Sequence, residues 1–328
     1  PVSRVNLYDL DHSAVDWEKL LQGLEGKDAL SEKKQLREHQ REALKAAHDH
    51  YETEDRGKLV MACGTGKTFT SLKLVEQELG GKGLVLFLVP SIALLGQSLN
   101  DWMADADQPI KAVCICSDAR ASRKIKRGND NDDLENSVVD LALPASTNTT
   151  SIVRQLRACK AHNALTVVFS TYQSIDIVAE AQAAMLKETK GEFGIFDFIV
   201  CDEAHRTTGV KLSSKDESSF TKIHNNDFIQ GRKRLYMTAT PRLYGESAKI
   251  KASKNDCILC SMDDEAIYGK EFHRVNFSYA VQNGILTDYK VLVLTVSEDM
   301  IPEELMKQVK DTDAKELNYD DTGRLIGV

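Results

Sequence analysis

The chain has 328 residues, with 42% hydrophobic and 28% charged residues and a formal net charge of −8; by length it holds about two ordinary domains. These proportions exclude disordered and fibrous classes, and the longest apolar run, Leu84 to Val89, is far short of the ~20 residues a membrane-spanning helix needs. No basic segment followed by an apolar one opens the chain, and the charge balance suits a soluble, cytoplasmic protein with no membrane partner.

The chain begins at Pro1, so it reads as a piece of something longer. Ser13 to Asp16 has capping-box form and predicts a short helix over Trp17 to Leu21, stopped by Gly23. Residues 1–30 thus read as a helical linker. A longer helix is expected from Glu32 to Tyr51, with Leu36, Ala43, Leu44 and Ala47 on one face. Leu59 to Met61 predicts a strand, followed by the glycine-rich Gly64-Thr65-Gly66-Lys67-Thr68 and a helix ending near Gly80-Gly81. Leu84 to Val89 is apolar throughout, as in a strand covered on both faces of a parallel sheet. Pro90 ends it, and Ser91 can cap the following helix.

Val113 to Cys116 predicts another strand, after which residues 117–150 turn polar. A basic cluster (Arg120, Arg123, Lys124, Lys126, Arg127) precedes an acidic one there, which marks a surface insertion. Helices near Ile152 to Cys159 and Ser174 to Lys187 alternate with strands at Thr166 to Phe169, Phe196 to Cys201 and Arg234 to Met237. A last strand is expected at Tyr289 to Val296, before a charged, helix-like end. The seven cysteines are an odd number, and Cys63, Cys114, Cys116 and Cys201 lie in or beside apolar runs, as reduced core thiols do. Cys257 and Cys260 have metal-like spacing but no second pair, so a strand end is the expectation there. The alternation predicts an α/β fold: a mostly parallel sheet with helices on both faces, and a ligand site beyond the carboxyl ends of its strands.

Each polar cluster begins where an apolar strand stops. Glycines in Gly64 to Thr68 let backbone N–H groups curl toward phosphate oxygens, and a helix N-terminus adds favourable partial charge. In such a loop Lys67 would reach the β- and γ-phosphates of ATP and the Thr68 hydroxyl would ligate magnesium, although Met61 stands where the strict pattern has glycine. Asp202 and Glu203 crowd two carboxylates at a strand end, an expensive arrangement unless a cation or a reaction explains it. Asp202 suits magnesium, and Glu203 suits orienting and deprotonating the attacking water. Thr238 and Thr240, beside Pro241, have hydroxyls that can link the acidic pair, with its His205, to a neighbouring surface. Upstream, the Gln40 amide can donate and accept at once, as an adenine edge requires.

Gln40, Gly64 to Thr68, Val89-Pro90-Ser91 with Gln97, Ser170 to Ser174, Asp202 to His205 and Thr238 to Pro241 together resemble the first RecA-like, P-loop domain of superfamily 2 helicases and translocases. Met61 to Phe69, Phe169 to Ser174, Cys201 to Gly209 and Leu286 to Leu292 are similar in wording to the motor of single-chain type ISP restriction–modification enzymes; type I motor subunits are more distant. The resemblance implies residues 31–285 as the ATP-binding helicase domain and 286–328 as the start of a second RecA-like domain. It further implies an ATP-driven translocase on duplex DNA, within a polypeptide that also carries nuclease, methyltransferase and target-recognition domains. Ser91, Gln97, Thr171 and Gln173 are then contacts to DNA phosphates, with Arg206, Thr207 and Thr208 as additions. The basic stretch Arg120 to Arg127, read by its charge alone, is either a dock for duplex DNA or a solvated loop.

Three alternatives share parts of this pattern: a DEAH-type DNA or RNA helicase of repair or transcription, a nucleotide switch that does not translocate, and a metal-dependent nuclease. The last lacks a convincing set of further carboxylates. Where an arginine finger completes phosphoryl transfer it contributes ~10³–10⁵ in rate, and in proteins of this resemblance it comes from the second RecA-like domain. Downstream of Pro241 only Arg242, Arg274 and Arg324 occur, none in such a setting. These residues alone are therefore expected to bind Mg-ATP and hydrolyse it slowly.

Overall fold

The protein's structure is a computed structural model that describes residues 15–22, 33–116, 145–160, 164–211, 218–246 and 258–288. The chain divides into two compact units, Pro1–Leu286 and Thr287–Val328, and every helix and strand among the described residues belongs to the first.

Its centre is a seven-stranded sheet in the order β3-β4-β2-β5-β7-β1-β9. The strands are β1 (Arg56–Met61), β2 (Gly83–Val89), β3 (Lys111–Ile115), β4 (Leu165–Thr171), β5 (Phe196–Cys201), β7 (Gly231–Thr238) and β9 (Lys270–Val275), all paired in parallel. A separate antiparallel pair joins β6 (Gly209–Lys211) to β8 (Ile258–Cys260). The helices are α1 (Trp17–Leu21), α2 (Glu38–Tyr51), α3 (Lys67–Leu79), α4 (Ile92–Asp105), α5 (Thr149–Lys160), α6 (Ile175–Glu188), α7 (Glu265–Tyr268) and α8 (Phe277–Gln282).

The unbroken apolar run of β2 follows from burial on both faces. Val85, Phe87 and Val89 pack with Ala43, Leu72, Leu95 and Trp102 of α2, α3 and α4. Leu84, Leu86 and Leu88 alternate to the other face, under Val153 and Val178 of α5 and α6. Each such side chain contributes ~1.5–3 kcal/mol on leaving water, so the two-sided core fixes the register of the central strands.

Several boundaries differ from expectation. α1 is capped by Asp16, whose Oδ1 accepts from Lys19 N–H at 3.2 Å; Ser13 lies outside the described residues. α2 begins at Glu38 and not at Glu32, because Gln40 Oε1 accepts the Arg37 N–H at 2.9 Å and closes the N-terminus there. Upstream, Lys34 pairs with Asp105 at 2.8 Å and the Lys33 ammonium donates to Ala106 O, which ties residues 33–37 to the end of α4. α5 starts at Thr149, inside the stretch assigned to the polar insertion, where Ser151 N–H donates to Asn148 Oδ1 at 3.0 Å. The 120–127 basic cluster, Cys257 and the strand expected at Tyr289 to Val296 lie outside the described residues. Cys260 is buried and forms no disulfide.

Edge strand β9 extends the sheet beside β1, with Leu59 opposite His273. Gly269 immediately precedes it at φ +74°, ψ −178°, where a Cβ would lie 2.0 Å from Arg56 O, a backbone region essentially reserved for glycine. The His273 Nε2 is buried without a hydrogen-bond partner, and burial holds the ring's pKa below its usual value. A depressed histidine favours the neutral form in the fold, so its contribution to stability is lost as pH falls through the unfolded value of ~6.5. His273→Leu, which takes away the unpaired nitrogen, is expected to flatten this acid-side loss and cost nothing at pH 8. Urea midpoints at pH 8 and pH 5.5 measure both; an unchanged pH slope refutes the assignment.

Candidate active site

The expected clusters all lie at the carboxyl edge of the sheet. Gly64 and Gly66 take φ +80° and +87° after β1, conformations cheap only for glycine, and Lys67 opens α3. The close approach of α2 adds a second reason for glycine: a Cβ at Gly66 would sit 2.6 Å from Gln40 Nε2. A cavity of about 590 Å³ collects Gly64, Lys67, Thr68, Asp202 and Glu203 on its wall. Phosphate loop and acidic pair, 135 positions apart between Lys67 and Asp202, therefore face one space.

The loop is braced from three sides. His39 Nε2 donates to Thr65 O at 3.0 Å, the Trp102 indole donates to Thr68 O at 3.2 Å, and Lys67 Nζ donates to Met61 O at 3.3 Å. Neither His39 nor Trp102 stood out in the sequence, although His39 adjoins Gln40. Thr65 lines the cavity, but its side chain is buried and donates to Ala62 O at 2.7 Å, so it shapes the loop. Gln40 also lines the cavity. Its amide is engaged internally, with Oε1 on Arg37 N–H at 2.9 Å and Nε2 3.5 Å from Thr65 O, so reading a base would require exchanging these contacts.

Asp202 is buried and directly follows β5. Burial, and next the Glu203 charge, push its carboxyl up to about 6, against the Glu203 N–H that donates to Asp202 Oδ1 at 2.9 Å and against the Lys67 charge. A carboxylate so disfavoured, beside the Thr68 hydroxyl on one cavity wall, is a hard-oxygen donor set that a magnesium ion suits. Among the described residues no cluster of three or more His, Cys, Asp or Glu forms a separate metal site. Glu203 has a left-handed backbone, φ +46° and ψ +47°, and its carboxylate lies 3.3 Å from His205 Nδ1. The same nitrogen is 3.0 Å from Thr238 Oγ1, so the acidic pair is joined to the end of β7. Thr240 is exposed and meets Thr238 only through its backbone, its N–H donating to Thr238 Oγ1 at 3.1 Å and its carbonyl accepting at 3.3 Å.

Of the residues assigned to DNA, Ser91 and Gln173 come together. Ser91 is exposed and caps α4, accepting from Leu94 N–H at 3.3 Å, while Gln173 Nε2 donates to Pro90 O at 3.1 Å. Adjacent strands β2 and β4, with Val89 opposite Thr171, bring the two segments side by side. Gln97 lies elsewhere, on the wall of the phosphate-loop cavity. Thr171 is buried and donates to Ser174 Oγ at 3.2 Å, so its hydroxyl is withheld from a phosphate. Thr207 is likewise fully buried. Both hydroxyls are engaged inside the fold: the sequence gives hydroxyl type but not the packing around it.

The family described as "Type III restriction enzyme, res subunit" matches residues 33–243. A probable helicase of African swine fever virus is 25% identical over 275 residues, 83% of this chain and 26% of that protein. Among solved structures, the ATP-dependent Type ISP restriction-modification enzyme LlaBIII bound to DNA gives a TM-score of 0.72 at 39% identity, over 99% of this chain and 20% of that one. A nuclease-deletion mutant of the Type ISP enzyme LlaGI, in complex with a DNA substrate mimic, gives 0.56 at 38% identity, over 77% and 21% of the two chains. This chain thus spans between 20% and 26% of the length of these relatives. No helix among the described residues is long and apolar enough to cross a membrane. The matched stretch contains the phosphate loop, the acidic pair and the threonine-rich end of β7, and with it the chain belongs to the type III restriction enzyme res-subunit family, on the RecA-like fold of superfamily 2 helicases.

Proposed function

We propose that this chain is the ATP-binding half of an ATP-driven motor on duplex DNA, within a restriction–modification polypeptide. The observation that carries the reading is the single cavity onto which Lys67, Thr68, Asp202 and Glu203 open. Lys67 and the loop N–H groups hold the phosphates, and Thr68 with Asp202 would hold magnesium. When bound, the ion neutralises charge on the phosphate oxygens. Glu203 orients the attacking water and takes its proton, while His205 and Thr238 join that carboxylate to β7. Ser91 and Gln173 support contact with one DNA strand through phosphates, which binds without reading sequence. Residues 286–328 begin the second RecA-like domain in this reading. The nuclease, methyltransferase and target-recognition parts belong to the remainder of the polypeptide, and they find support in the DNA complexes of the type ISP relatives.

The test is ATP hydrolysis by the full-length protein with saturating duplex DNA, single-stranded DNA or RNA. Duplex DNA is expected to raise the rate at least about tenfold and RNA to leave it unchanged, with stimulation falling steeply as salt rises. Stimulation by RNA alone would favour an RNA helicase, and tight nucleotide binding without turnover would favour a switch.

A further inference from the structure

The turn that carries Glu203 and His205 is fastened at its far end by a buried hydrogen-bond chain that the proposed chemistry does not itself use. Thr207, the last residue of the turn Ala204–Thr207, is wholly buried. Its hydroxyl lies 2.8 Å from Ala204 O and 3.1 Å from the Tyr268 hydroxyl. A carbonyl only accepts, so the Thr207 proton goes to Ala204 O and the Tyr268 hydroxyl donates to Thr207. The Thr207 carbonyl lies 3.0 Å from His224 Nε2, which fixes His224 as the Nε2–H tautomer. His224 Nδ1 must then accept, and the Tyr236 hydroxyl stands 3.1 Å from it. Burial raises the pKa of both phenols well above the usual range, so both keep their protons at neutral pH. The rings of His224, Tyr236 and Tyr268 pack mutually, with centroids 4.7 to 5.5 Å apart. Arg56 locks the backbone behind them, its Nη1 donating to His224 O at 3.1 Å and Ile267 O at 3.0 Å.

Tyr236 and Thr238 are two residues apart on β7, so they emerge on the same face of the strand. Thr238 grips the front of the acidic turn through His205, and Tyr236 grips its back through His224 and Thr207. The turn begins with a second anchor, the Tyr172 hydroxyl donating to Asp202 O at 2.9 Å. Between these anchors Glu203 holds a left-handed backbone, which is unfavourable for a non-glycine residue and persists only where the surroundings over-determine it.

We infer that His224 is a positioning residue for Glu203: with Tyr236, Thr207 and Tyr268 it fixes the acidic turn so that the Glu203 carboxylate faces the γ-phosphate side of the cavity. This inference rests on the ATPase reading above. It separates binding from turnover, because the phosphate grip comes from Lys67 and the loop after β1, to which this chain of bonds makes no contact. Displacing a catalytic group by about 1 Å costs on the order of 10²-fold in rate.

The experiment compares His224→Leu, His224→Gln and Tyr268→Phe in the full-length protein, measuring kcat for ATP with saturating duplex DNA and, separately, Kd for Mg-ATP. His224→Leu, which removes both ring nitrogens, is expected to lower kcat about 10- to 100-fold with Kd unchanged within twofold. His224→Gln, whose amide can still donate to Thr207 O, should recover most of that loss, and Tyr268→Phe should lose a few-fold. Equal kcat for wild type and all three variants overturns the positioning role and leaves the ATPase reading intact. A wild type that binds Mg-ATP but shows no turnover removes both. If His224→Leu does not fold, the Gln and Phe variants decide: wild-type kcat in both refutes the inference, and a fall in kcat at constant Kd supports it.

Discussion

Lys67→Ala is expected to abolish the rise in melting temperature that Mg-ATP gives this protein. A ligand that binds only the folded state stabilises it by ~2.7 kcal/mol at a hundred times its Kd, which for a unit of this size is a shift of about 5 °C. Lys67 has a modest structural duty beside its role toward nucleotide: its ammonium makes one long hydrogen bond, to Met61 O at 3.3 Å, and its charge acts on Asp202. The unliganded Lys67→Ala protein should therefore melt close to wild type, and only its response to nucleotide should vanish. Glu203→Gln is the complementary variant. It keeps the side chain's size and its left-handed backbone, touches the water and not the phosphates in the reading proposed here, and should retain the full shift while losing turnover. Thermal melting with and without Mg-ATP measures both. A shift that survives in Lys67→Ala would remove the phosphate loop from nucleotide binding.

The asymmetry between these variants was legible in the sequence, because phosphate loops and acidic strand ends are local patterns. Leu84 to Val89 announced a two-sided strand by being apolar throughout, and β2 is one. Edge strand β9 carries no strand signal for the opposite reason: half of Lys270-Glu-Phe-His-Arg-Val275 is Lys, Glu or Arg, and only its partial burial against β1 reveals it. β6 and β8 have three residues each and pair across a long sequence separation, too little for any periodicity to show. Thr171 and Thr207 looked like phosphate contacts because hydroxyl type is visible and burial is not. His224 and Tyr268 gave no signal at all: their partner Thr207 lies 17 and 61 positions away, and a hydrogen-bond chain across such spans exists only in three dimensions. His39 and Trp102 belong to the same class. Each braces the phosphate loop through a backbone carbonyl, which imposes no motif on the sequence that supplies the donor.

The second large effect is on stability. Arg234 sits in the middle of β7, wholly buried, and its guanidinium donates to three carbonyls: Ile223 O at 3.2 Å, Gly231 O at 3.4 Å and Ile229 O at 2.6 Å. Burial lowers its pKa, the mark of a cation held where water does not reach. Arg234→Met fills much of the same volume and removes the buried charge, yet it strips the donors from three carbonyls at once. Leaving buried acceptors unsatisfied costs about 1–3 kcal/mol each before relaxation, so three carbonyls stripped together cost several kcal/mol. A fall in melting temperature on the order of 10 °C follows. Arg234→Lys should recover little, because a single ammonium cannot span three acceptors that a planar fork reaches. The damage should also travel. Ile223 precedes His224, so loosening the turn Lys222–His224 slackens the grip on Thr207 and, through it, the acidic turn. Arg234→Met is therefore expected to lose more kcat than Mg-ATP affinity at a temperature where it remains folded. An urea midpoint within error of wild type would refute the stability argument, and a parallel loss of binding and turnover would break the link from Arg234 to Glu203.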